Sequence, residues 1–132
     1  MAIIKAENLV ANNWLPIRLA EPAKIGEEIV TIGNPTIEGH TVNTAVSKGI
    51  VSQLKLDSYD TPILVADITV SSGSSGGPLI STNTMEILGV VVSVARPGLN
   101  KEGTSSSGYW CLTAPAVYFD DWLGIEYEDS GS

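Results

Sequence analysis

A glycine-dense turn clamped between two apolar runs constrains this 132-residue chain more than any other feature. Ile63-Leu-Val-Ala66 precedes it and Leu79-Ile80 follows it, and both runs read as strands. Between them stands Ser72-Gly-Ser-Ser-Gly-Gly-Pro-Leu79. Gly73, Gly76 and Gly77 can take backbone angles closed to residues with side chains. Clusters of Gly and Ser are ordinarily plain loops, but a turn held at both ends by buried strands is fixed and is no linker. Such a turn can aim a hydroxyl outward while backbone N–H groups converge beside it, which pairs a nucleophile with an oxyanion hole.

The rest of the chain repeats the same rhythm. Apolar and β-branched runs lie near 1–6, 28–33, 45–54, 62–67, 78–81, 86–95 and 108–113. Gly33-Asn-Pro35, Glu38-Gly39, Asp57-Ser-Tyr-Asp60, Ser81-Thr-Asn83 and Pro97-Gly98 punctuate them. Short strands at this spacing, with no βαβ alternation, predict an all-β barrel or sandwich. One helix is expected near the end, with Thr113 as its cap and Pro115 in its first turn. Val117, Tyr118, Trp122 and Leu123 would share a face, and Gly124 would stop it. Residues 97–107 read as a polar surface loop and 126–132 as a frayed acidic tail.

Length predicts one domain, and 43% hydrophobic with 17% charged residues predicts a folded core. A net charge of −8 argues against nucleic acid and anionic membranes as partners, since both need a basic face. No apolar run reaches the ~18 residues of a membrane-spanning helix. Met1-Ala-Ile-Ile-Lys-Ala-Glu7 is too short and too charged for a signal peptide. Cys111 is the lone cysteine, so no internal disulfide forms, which points to a cytosolic, viral or bacterial setting. Its apolar neighbours make it a packing residue. His40 is the lone histidine, in a turn between strands, where a solvent-exposed or hydrogen-bonded loop histidine is expected. One His and one Cys cannot supply three or four N/S ligands, so neither a metal nor another cofactor is expected.

Several stretches, in order and at the right spacing, resemble the second β-barrel of trypsin-like serine proteases, closest to the HtrA-like branch. They are Gly26-Glu-Glu-Ile-Val-Thr-Ile-Gly-Asn-Pro35, Ser47-Lys-Gly-Ile-Val-Ser52, Asp67 with Gly73-Ser-Ser-Gly-Gly-Pro-Leu79, Ile87-Leu-Gly-Val90, and Thr113-Ala-Pro115 with the helix after it. The resemblance implies a single six-stranded Greek-key barrel with a C-terminal helix. It implies Ser75 as nucleophile and the N–H groups of Gly73 and Ser75 as oxyanion hole. Residues 90–95 would line the primary pocket, with Val90, Val91, Val92, Ser93 and Val94 binding a polypeptide substrate by strand addition. Thr69 falls at the base of that pocket; being uncharged, it implies preference for a small or apolar side chain. Asp67 matches a structural aspartate.

Two departures matter. Ser74 stands where digestive members have aspartate, so their zymogen switch is not implied. The histidine and aspartate of the family triad come from a first barrel, and Met1-Ala-Ile-Ile-Lys5 begins one residue after that aspartate's position. Residues 1–24 are therefore expected to be the last strand of a first barrel and the inter-barrel linker, 25–125 the second barrel and its helix, and 126–132 a tail. The expected function is the nucleophile-bearing half of a serine endopeptidase, inactive by itself. Its expected partner is an upstream half, or a second copy meeting an exposed apolar barrel face. The other readings are a non-catalytic peptide-binding or assembly module and a split protease completed in trans.

Overall fold

The structure is a computed structural model that describes residues 7, 13–56, 59–70, 74–95 and 110–124. The expectations for 1–6, 97–107, 126–132 and Gly73 lie outside these residues. Strands form where apolar residues alternate with polar ones. In β1 (Glu28–Gly33), Ile29 and Thr31 turn inward and are buried while Ile32 turns out. A small hairpin of β2 (Thr36–Ile37) and β3 (His40–Thr41) follows, and β4 (Ala45–Leu56) returns antiparallel along β1. Then come β5 (Pro62–Asp67), β6 (Pro78–Ser81), β7 (Ile87–Ala95) and β8 (Trp110–Pro115).

The strands close as β1-β4-β5-β8-β7-β6, a six-stranded antiparallel barrel of the expected kind. Closure gives each of the six two strand neighbours, which leaves none of them a whole free edge. Bulges at Val51/Gln53, Leu79/Ile80 and Val91/Ser93 add the twist that a narrow barrel needs. Ile29, Val51, Leu64, Ala66, Ile68, Leu79, Leu88, Val91 and Cys111 fill the interior. Each large aliphatic among them contributes roughly 1.5–3 kcal/mol on burial. Cys111 is fully buried, and burial pushes its thiol pKa up against the smaller opposing pull of Thr113.

The chain end corrects one expectation. Thr113 caps nothing: it is a buried strand residue whose hydroxyl lies 3.6 Å from the Cys111 sulfur. Pro115 ends β8 in extended conformation, and a 3₁₀ turn (Ala116–Tyr118) leads into a helix of one turn, α1 (Phe119–Leu123). Strand pairing of Thr113 with Leu64 and Val91 overrides the local cap signal. Gly124 stops the helix in the left-handed region, and Tyr118 stacks on Trp122 at 5.7 Å, both as the spacing suggests.

The segment ahead of the barrel is stitched to it. Ile17 bridges Ile87 in parallel, with Arg18 N–H donating to the Ile87 carbonyl at 3.0 Å and Ile87 N–H to the Pro16 carbonyl at 2.8 Å. Arg18 is buried, and its guanidinium reaches Glu27 at 2.8 and 2.6 Å, Glu86 at 3.0 Å and Thr84 at 2.8 Å. Glu27 also accepts from the Ser81 hydroxyl at 2.6 Å and the Lys24 amide at 3.0 Å. These bonds, Arg18's first, hold the Glu27 carboxyl at about 2 in spite of its burial. The Glu28–Lys48 pair, in contrast, is exposed and contributes little.

Candidate active site

Residues 74–77 form the part of the glycine-rich turn that the structure describes. Gly77 N–H donates to the Ser74 carbonyl at 3.1 Å, closing a β-turn with Ser75 and Gly76 at its centre. Gly76 has φ +87°, a left-handed angle where a side chain is strained even though the space around it is open. Gly77 is glycine for the other reason: a Cβ there would lie 2.9 Å from the Ile32 carbonyl oxygen and 3.1 Å from that of Ser74. One of these glycines supplies the angle and the other the clearance.

The turn is lashed to β7 and to β1. Gly76 N–H donates to the Val91 carbonyl at 2.7 Å, and Val91 N–H to the Gly77 carbonyl at 2.9 Å. From the other side, the Thr31 hydroxyl donates to the Pro78 carbonyl at 2.8 Å. Held this way, Ser74 is buried and Ser75 is exposed. The Ser75 hydroxyl donates to the Val92 carbonyl at 3.0 Å. A carbonyl oxygen takes no proton at neutral pH, so this bond orients the hydroxyl without activating it.

Val92 sits at the bulge where β7 slips against β8, with its side chain 55% exposed. The pairing of β6 with β7 ends at Val90, and no other described strand takes that side of β7 beyond it. The structure thus brings Ser75 against Val92, and the glycines after it against Val91, within the stretch singled out from sequence. The residues of that stretch differ in what they offer. Val91 gives its backbone to the turn and its side chain to the core, Val90 is half-buried, and Ser93 and Val94 pair with Leu112 and Cys111 of β8. Thr69 is exposed just past β5, and Asp67 is exposed at that strand's end. His40 is exposed on β3, opposite Ile37, rather than in the turn itself.

Two participants escape a reading of the sequence. Arg18 finds Glu86 from 68 positions away, and no local pattern announces such a pair. Thr31 had a signal: a polar residue at an inward position of an alternating strand must spend its hydroxyl on something.

A closed six-stranded barrel that presents a serine on a glycine-built turn, beside a length of strand unpaired on one side among the described residues, is the architecture of a serine-protease barrel. The chain belongs to the trypsin-like peptidase family: residues 1–90 match the trypsin-like peptidase domain. Its relatives place it in the HtrA-like branch. It is 37% identical over 75 residues to a probable periplasmic serine endoprotease DegP-like of Pseudomonas putida, covering 54% of this chain and 14% of that one. It is 29% identical over 100 residues to the periplasmic serine endoprotease DegP of Salmonella typhimurium, covering 74% and 20%. Among solved structures, the serine endoprotease from Yersinia pestis superposes with a TM-score of 0.56 at 25% identity, covering 89% of this chain and 36% of that chain. The HtrA-type protease AlgW with decapeptide shares the fold at a TM-score of 0.58 and 23% identity, covering 84% and 31%. The chain spans about a fifth of the length of the curated relatives it matches.

Proposed function

We propose that this chain supplies the nucleophile, oxyanion hole and substrate strand of a trypsin-like serine endopeptidase, with histidine and aspartate contributed from outside it. The observation that carries this reading is Ser75, exposed on a hydrogen-bonded turn and bonded to the strand beside it. In the reaction, Ser75 Oγ attacks the scissile carbonyl while the outside histidine takes its proton. The N–H groups of Gly73 and Ser75 receive the developing oxyanion. Residues 92–94 pair with the substrate backbone, and a substrate N–H takes over the Val92 carbonyl that now receives Ser75 Oγ. The uncharged Thr69 favours a small or apolar side chain ahead of the cut bond.

The chain alone is inactive on this reading, because a serine hydroxyl without its base is a weak nucleophile. An exposed stripe supports docking of a histidine- and aspartate-bearing half or of a second copy. Ile32, Val46 and Ile50 stand on the outer face of β1 and β4, at 40%, 63% and 45% exposure, with Ile32 directly opposite Val46. The second reading, a peptide-binding module without catalysis, is favoured by the carbonyl partner of Ser75.

A fluorophosphonate probe separates the two. The chain alone should not be labelled. Fusion behind the histidine- and aspartate-bearing barrel of a DegP relative should restore labelling at Ser75, and Ser75→Ala should abolish it. A correctly folded fusion that binds peptide yet stays unlabelled supports the module.

A further inference from the structure

We infer that Thr31 is a positioning residue that sets the Ser75 turn by fastening its outgoing strand to β1. Thr31 is 4% exposed and points inward, one alternation on from the fully buried Ile29. A hydroxyl among aliphatic side chains is unfavourable unless bonded. This one donates to the Pro78 carbonyl at 2.8 Å and lies beside Gly77, 3.8 Å from where a Cβ would stand.

The reason for a side-chain bond at this place is the proline. The pairing of β1 with β6 runs Ile29 with Ser81, Val30 with Ile80, and Thr31 with Leu79. The next pair in line is Ile32 with Pro78, and proline has no N–H to donate. The ladder therefore weakens where the strand leaves the turn, and the Thr31 hydroxyl adds a bond there. On the opposite side, Gly76 and Gly77 are tied to Val91 by backbone bonds. The turn hangs between two strands, and without Thr31 it is secured mainly to β7. Only two glycines separate Ser75 from Pro78, and neither has a side chain of its own with which to anchor the turn on the β1 side.

The catalytic consequence rests on the protease reading: attack geometry is lost with displacements of about 1 Å. The positioning itself does not. It is tested by amide hydrogen exchange on the full chain, wild type against Thr31→Val and Thr31→Ser. Thr31→Val keeps the volume and removes the bond. Exchange at Gly76 and Gly77 should speed about fivefold relative to Val65 and Ala66 in β5, the effect of one ordinary hydrogen bond. Thr31→Ser should return it to within about twofold. Unchanged exchange at the two glycines, or an equal rise at every amide, would overturn the assignment. If Thr31→Val does not fold, Thr31→Cys carries the test, since it keeps the volume and replaces the hydroxyl with a weak donor: selective loss of protection at Gly76 and Gly77 supports the assignment and unchanged protection overturns it. Because exchange reads the turn whether or not Ser75 ever attacks a substrate, failure here is separate from failure to label the fusion.

Discussion

β7 carries two attachments of opposite character. At Ile87 it receives the incoming chain, locked by a part-buried cluster in which Arg18 and Ser81 are buried and Glu27, Glu86 and Thr84 approach from nearer the surface. At Val91 and Val92 it receives the Ser75 turn, held by backbone groups and two hydroxyls with no ion pair among the bonds described. The first depends on side-chain identity and charge. The second depends on what glycine permits the backbone to do. A barrel that must hold its incoming chain firmly can use buried charge, whereas a turn presenting a hydroxyl gains from surroundings that pH does not alter. The two should therefore break under different substitutions.

The largest effect is expected from Arg18→Met, which leaves the Glu27 side chain, 7% exposed, without its cation. Breaking a buried pair from one side costs about 3–5 kcal/mol, which urea unfolding will read. Next is Gly77→Ala, where the new Cβ meets two backbone carbonyls that cannot simply rotate away. About 1–3 kcal/mol is expected, as for overpacking. Gly76→Ala has open space and only an unfavourable φ to bear, so about 1 kcal/mol is expected. Equal losses for the two alanines would show that clearance at Gly77 is unimportant.

Acid sharpens the contrast. The Glu27 carboxyl is lowered from 4.5 to about 2 in the fold, chiefly by Arg18. A depressed carboxylate stabilises fully above its unfolded value and loses that contribution as pH falls through the folded one. Stability should thus decline from about pH 5 towards pH 2, and Glu27→Gln, weaker at neutral pH, should lack this part of the slope. Residues 74–77 carry no titratable side chain, so the bonds that hold them have no such dependence. The smallest effect is expected from Ser75→Ala, which removes one bond at an exposed position and should change stability by no more than about 0.5 kcal/mol.

Much of this was legible from the chain itself. Strands β5 and β6 match their apolar runs at both ends, because turn residues bound them and both pack into the core. The Ser75 turn was legible because Gly76 and Gly77 have no substitutes where they stand. The β2–β3 hairpin was not, since two-residue strands with every side chain exposed carry no periodicity. Thr113 misled because a threonine ahead of a proline is a local helix signal, and pairing across the barrel decided the matter. Arg18 was not legible at all, because its partners are assembled only by the fold.

The Ile17–Ile87 bridge gives β7 the character of a measuring rod. Ile87 receives the incoming chain and Val92 receives the Ser75 hydroxyl, five positions further along one strand paired on both flanks for part of its length. At about 3.3 Å per residue, the two landmarks are roughly 16 Å apart. Residues 14–18 are thereby indexed to the serine through a strand, so that a change of register at Ile17 acts on the same strand that receives Ser75.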